Sequence, residues 1–249
     1  MKYSILSIAL LLTIALSFTA CNNETEGTLE LQFQLVYDNE PLVMFENYDY
    51  PDGSKVFFDQ FQMFLSNSSL IKDGVKEFAF DVQFLDFSDI QDKAAAENGF
   101  TISLKDVPVG EYEGMELGLG LSPEWNATTP SDYSSTHPLS NNYWSQWDSY
   151  IFTKIEGKAD TLGNGRNDHI LNYHIGKDPA FSDKMFRMPI SIEGGKTTKM
   201  KLKIDVLDIL RNGTQYIDIR KNPIDHSRNP EVYDFIIANM ADAVSMEEL

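Results

Sequence analysis

The chain has 249 residues, of which 38 are acidic and 20 basic, for a formal net charge of -18. Nothing on such a surface would neutralise phosphates, so nucleic-acid binding is excluded as a function class. A single cysteine excludes an intrachain disulfide framework, and the length fits one large β domain or two small ones.

Met1-Lys2 opens a basic n-region, and Ile5 to Phe18 is an almost unbroken apolar run closed by Thr19-Ala20-Cys21. This pattern predicts a secretory signal over residues 1–20, too short to span a bilayer comfortably. A lone cysteine directly after it predicts lipidation at Cys21, as in a bacterial lipoprotein, which ties the chain to a membrane it does not enter. Residues 21–27, CNNETEG, read as an acidic tether, and residues 28–249 as a single domain in the cell envelope.

Leu29, Leu31, Phe33, Leu35 and Tyr37 alternate with mostly polar neighbours, which predicts a strand with one buried face. Pro51-Asp52-Gly53-Ser54 is a turn, and Phe61, Met63 and Leu65 mark a second strand ending at Ser66-Asn67. Asp73-Gly74 is a hairpin signal leading to a third alternating run through Phe78, Phe80, Val82 and Phe84. Phe100, Ile102 and Leu104 form a fourth, and Pro108-Val109-Gly110 turns into Tyr112 to Leu121. Ser122 to Asn142 lacks periodicity and reads as a long loop, the kind of segment that either carries function or is a surface excursion.

Strand returns at Ser149 to Glu156, followed by a polar tip at Ala159 to Asn167 and another strand at Ile170 to Ile175. Met185 to Ile192, Gly194-Gly195 and Thr198 to Val206 read as a further hairpin. Asp205 to Arg211 predicts a short helix, and Val232, Phe235, Ile236, Met240 and Ala243 make a helical stripe near the end. Many short strands between turns predict a mostly β chain, an antiparallel β-sandwich with a short C-terminal helix.

The chemistry has few places to reside. The four histidines are His137, His169, His174 and His226. His169 and His174 are five apart on one strand and face opposite ways, so a second ligand for His174 must come from elsewhere. His137, in the long loop before Trp144, is the natural candidate by position, and His226 in NPIDHSRNP reads as solvated. Trp144 and Trp147 oppose each other on an extended strand and share a face on a helical turn. They read either as packing or as the wall of a metal or ligand site, sugars included. A calcium loop from Asp160 fails because Leu162 and Leu171 stand where oxygen ligands are needed. No phosphate-binding glycine loop, nucleophile elbow or zinc-protease motif occurs, and the chain is read as a non-enzyme.

Tyr143-Trp144-Ser145-Gln146-Trp147, Ser149-Tyr150-Ile151-Phe152, Lys154-Ile155-Glu156-Gly157 and Tyr173-His174-Ile175-Gly176 together resemble the central motifs of the MbnP-like family of copper-binding envelope proteins. Phe64-Leu65-Ser66-Asn67, Val107 to Tyr112 and Ile237-Ala238-Asn239 resemble its outlying motifs, so the similarity spans most of the chain. Three positions depart from the pattern: Tyr143 in place of methionine, Gln146 between the tryptophans, and Ser149 in place of glycine. The resemblance implies a β-sandwich that binds copper through histidine and a tryptophan oxidised to kynurenine by a di-haem peroxidase-like partner. It implies His174 as a ligand and Trp144 or Trp147 as the modified residue. The expected function is therefore copper handling by a lipid-anchored envelope protein, outer-membrane, periplasmic or surface-facing. The alternatives are a glycan- or protein-binding surface module using Trp147, or a structural accessory of an outer-membrane assembly.

Overall fold

A computed structural model describes residues 24–249. The predicted signal, Cys21 and the start of the tether lie outside the described residues. Strand β1 (Glu26–Tyr37) begins one residue before the predicted end of the tether, where Glu26 already pairs with Pro108. Its Leu29, Leu31 and Phe33 are fully buried, as alternation requires. β2 (Glu40–Pro41) folds back on the end of β1, and β3 (Tyr48–Asp49) lies against β4 (Lys55–Lys72).

β4 does not end at Ser66-Asn67 as predicted. Asn67 adopts a left-handed conformation (φ 51°), and its side-chain oxygen accepts a hydrogen bond from the Trp125 indole at 2.8 Å. A register shift at Ser68/Ser69 follows, so the strand bends and continues. Asp73 and Gly74, both at positive φ, then close a tight hairpin onto β5 (Val75–Asp86).

Helix α1 (Lys93–Asn98), capped by Asp92, precedes β6 (Phe100–Pro108), β7 (Gly110–Tyr112) and β8 (Gly114–Leu119). The segment read as a long loop is ordered by α2 (Pro123–Asn126) and by single 3-10 turns at Pro130–Asp132 and Pro138–Ser140. β9 (Tyr143–Trp144), β10 (Ser149–Asp160) and β11 (His169–Gly176) follow. β12 (Ser182–Phe186), β13 (Ile190–Ile192) and β14 (Thr197–Asp205) lead into α3 (Val206–Leu210), which Asp205 caps. The chain closes through β15 (Arg211–Asn212), β16 (Gln215–Tyr216), β17 (Ile224–His226), α4 (Pro230–Met240) and β18 (Val244–Glu248). The predicted C-terminal helix is thus followed by an edge strand.

The architecture is mostly β and sandwich-like. One sheet runs β18-β14-β1-β2 with β6 also on β1. The larger sheet runs β12-β8-β4-β10-β11-β17, with β3 and β5 on β4 and β9 on β10. Two pairings, β1 with β14 and β11 with β17, are parallel, so the sheets are mixed rather than purely antiparallel. The predicted hairpin over residues 185–206 is not formed: β12 pairs with β8, β13 with β7, and β14 with β1. One continuous core joins Phe33, Phe58, Phe61, Phe64, Phe152 and Tyr173.

Candidate functional site

Strand register assembles the site. On β10 and β11, Glu156 lies opposite Asn172 and Lys154 opposite His174. On β17, His226 lies beside His174. Alternate residues of a strand share a face, so Glu156, Asn172, His174 and His226 project to one side. His169, at an odd spacing, points away, and its Nε2 contacts the Ile219 carbonyl at 2.9 Å.

β17 is held in place mainly by its backbone and by polar side chains. The Asn172 amide donates to the Pro223 carbonyl at 2.8 Å, and the Tyr173 hydroxyl donates to Asn222 O at 2.7 Å. The Ser227 hydroxyl donates to His174 O and accepts from the Gly176 amide, both at 3.0 Å. Asp225 Oδ1 accepts the Arg228 and Asn229 amides, turning the chain toward α4. This strapping overturns the reading of His226 as a solvated residue. The signal was absent from periodicity because Ile224 is the segment's lone apolar residue apart from Pro223.

The two imidazoles stack, with ring centroids 4.7 Å apart and planes 15° from parallel. Trp144 abuts both, 5.7 Å from His174 and 5.1 Å from His226. A turn in which the Trp147 amide donates to Trp144 O at 2.9 Å brings the second indole onto the first. Those indoles stack at 4.8 Å with planes 7° apart, and the Lys177 ammonium lies over the Trp147 ring at 5.7 Å. Gly176 makes room for this arrangement: a Cβ there would sit 2.4 Å from Tyr150 O and 3.3 Å from the Trp147 ring.

His174 Nε2 lies 2.6 Å from Glu156 Oε1, and His226 Nε2 lies 3.1 Å from Asn172 Oδ1. The hydrogen bond from His174 is the main reason the Glu156 carboxyl is held below its usual range. Burial, followed by the neighbouring His174, holds the His226 imidazole below its usual value and favours its neutral, donor-ready form. His174 Nδ1 is buried with no hydrogen-bond partner. An orphaned ring nitrogen of this kind calls for an acceptor of its lone pair, which fits a metal ion. Beside the pair, burial pulls the Lys154 ammonium below its usual value while it donates to Asn142 Oδ1 at 2.7 Å.

His137 is not part of this arrangement. Its ring stacks on Tyr133 at 4.2 Å, and its Nδ1 accepts the Leu139 amide, capping the 3-10 turn that follows. The loop does reach the site's frame, but through another residue. Asn126 Oδ1 accepts from the Ser149 hydroxyl at 2.9 Å and the Tyr150 amide at 3.0 Å, while its Nδ2 donates to Asp178. Ser149, where the family pattern has glycine, is thus a buried frame residue. Tyr143 packs edge-on against Tyr150 and donates to Asp148 Oδ1 at 2.5 Å, and Gln146 is exposed in the turn between the indoles. All three departures fall on the frame and leave the imidazoles untouched.

Among the described residues no three His, Cys, Asp or Glu side chains form a group suited to a metal. Elsewhere, a cavity of about 800 Å³ is lined by Tyr37, Tyr48, Tyr50, Tyr216 and Arg211 and contains none of the histidines.

The MbnP family model matches residues 26–230 of this chain. Among solved structures, MbnP from Methylosinus trichosporium superposes with a TM-score of 0.55 at 13% identity, covering 90% of this chain and 99% of that one. No curated protein sequence matches the chain.

Proposed function

Because this chain belongs to the MbnP family, we propose that it is a lipid-anchored protein of the cell envelope that binds copper, with His174 and His226 as its donor pair. The observation that carries this reading is the stacked imidazole pair walled by Trp144, with one ring nitrogen buried and unpartnered. Imidazole suits copper, and a site with two neutral donors and no carboxylate ligand suits the reduced ion. Copper would supply a soft Lewis acid to this pair. The indoles exclude water from one side, and a dry apolar wall favours Cu(I) over its oxidised form. The role is binding and handing on rather than catalysis.

Lone pairs of imidazole lie in the ring plane, so two rings stacked nearly face to face must tilt toward each other to share an ion. Trp144 touches both rings and feels that movement. Trp144 is therefore the better placed of the two indoles for the family's oxidation to kynurenine by a di-haem peroxidase-like partner. Intact mass spectrometry of the natively expressed chain reads it as a small mass increase, which peptide fragmentation should locate at Trp144. The same increase located at Trp147 would reverse the choice.

Equilibrium dialysis against Cu(I) tests the donor pair. Wild type and His137→Ala should retain copper, while His174→Ala and His226→Ala should each lose it. Equal weak uptake by all four proteins would sink the site.

A second reading, a glycan-binding surface module using Trp147, meets a half-buried indole already stacked on Trp144 with the Lys177 ammonium over its ring. The tyrosine-lined cavity is the place that favours it. Glycan-array binding abolished by Tyr216→Ala, in a chain that takes up no copper, would put this reading first.

A further inference from the structure

We propose that Glu156 and Asn172 are positioning residues that hold His174 and His226 in the Nε2–H tautomer, reserving both Nδ1 atoms as donors. The second half of this inference rests on the copper reading; the first half stands on the hydrogen bonds alone.

The argument begins with which atom can donate. A carboxylate has no proton to give, so the 2.6 Å contact between Glu156 Oε1 and His174 Nε2 requires the hydrogen on Nε2. The contact is charge-assisted, which makes it the stronger of the two. An amide oxygen likewise only accepts, so the 3.1 Å contact to Asn172 Oδ1 places the hydrogen of neutral His226 on Nε2 as well. A neutral imidazole carries one proton. With Nε2 protonated in both rings, both Nδ1 atoms are bare lone pairs.

The surroundings agree with that assignment at His174. Its Nδ1 is buried with no partner; protonated, it would be a stranded donor, and bare, it is available to an ion. The two acceptors are not independent accidents. Glu156 and Asn172 are cross-strand partners on β10 and β11, and each reaches the histidine next to it on the shared face. Glu156 belongs to the Lys154-Ile155-Glu156-Gly157 motif, and this contact gives its carboxylate a role. A carboxylate behind a ligating histidine orients the ring and raises its basicity, and loss of such a partner typically costs ten- to a hundredfold in metal affinity.

Long-range 1H–15N imidazole spectra of the purified full chain, first free of metal and then with Cu(I), test the inference. Metal-free wild type should show His174 and His226 as Nε2–H tautomers, and Cu(I) should move the Nδ1 resonances. Glu156→Leu should release His174, and Asn172→Leu should release His226, each with about a ten- to hundredfold loss of Cu(I) affinity. Glu156→Gln and Asn172→Asp keep an acceptor oxygen and should restore the wild-type tautomer, which a purely structural role does not predict. They also keep the test decisive where a leucine variant fails to fold. An Nδ1–H tautomer in wild type, Cu(I) binding at Nε2, or leucine variants with unchanged tautomers would overturn the inference. A chain with the stated tautomers and their stated dependence, but no Cu(I) uptake, upholds the positioning and overturns the copper reading.

Discussion

A single carboxylate, Asp205, shows how much local order one side chain can impose. It is nearly fully buried, and its oxygens accept the amides of Leu207 and Asp208 at the start of α3 and those of Asp38 and Asn39 in the turn after β1. Asp205→Ala leaves these donors without partners and should cost about 2 kcal/mol in a urea unfolding titration. Burial is the largest influence on its carboxyl and lifts it above the usual range despite the amides. A raised folded value means that the native state holds the proton more tightly than the unfolded chain. The ionised form therefore costs stability, and wild type loses it as pH rises through the folded value. Asp205→Asn cannot ionise, so the stability gap should move in the variant's favour over that window. A gap that is flat with pH would remove the argument.

At the scale of elements, two glycines decide where the site strands run. Gly157 sits at the register shift between β10 and β4, where an added Cβ would lie 2.0 Å from Phe57 O. Gly176 ends β11 where a Cβ would strike Tyr150 O. Neither can be relieved by a side-chain rotation, because the obstacle is backbone. Gly157→Ala should destabilise the fold by about 1–3 kcal/mol, the cost of overpacking, and displace Glu156 from His174. Gly176→Ala should unstack the indoles, visible as a change in tryptophan fluorescence. Part of the frame was legible in the sequence: the hairpin at Asp73-Gly74, the alternation of β1 and the short helix after Asp205 all appear where local pattern placed them. β4 ran past Ser66-Asn67 because Trp125, far along the chain, bonds the Asn67 side chain and so helps hold the bend.

Across the whole molecule, the sheet that contains β1 draws its strands from both ends of the described residues. β1 and β14 pair in parallel over nine positions from Thr28 to Val36, and β18 covers the other edge of β14. Lys203 pairs with Glu247 across that last ladder at 2.8 Å. Removing residues 244–249 would bare the β14 edge, and an unpaired edge recruits other chains. The truncated protein should show a lower thermal midpoint and concentration-dependent association by light scattering. An unchanged thermal midpoint and unchanged scattering would mean that α4 and its neighbours protect the edge without β18.

Pattern within the sequence sufficed for what depends on near neighbours: alternating burial, turns, the placing of His174 and His169 on opposite faces, and the motifs that resemble the MbnP family. It also singled out Trp144, Trp147 and His174 as the residues to watch. The partner of His174 was another matter. His137 stood nearer to the tryptophans in sequence, yet its ring caps a turn and stacks on Tyr133. His226, fifty-two residues beyond His174 in a polar stretch, arrives beside it through a short parallel ladder held by backbone amides and by Asp225 and Ser227. Backbone pairing between distant strands leaves no periodic trace in side-chain hydropathy, so only the folded chain decides which two imidazoles meet.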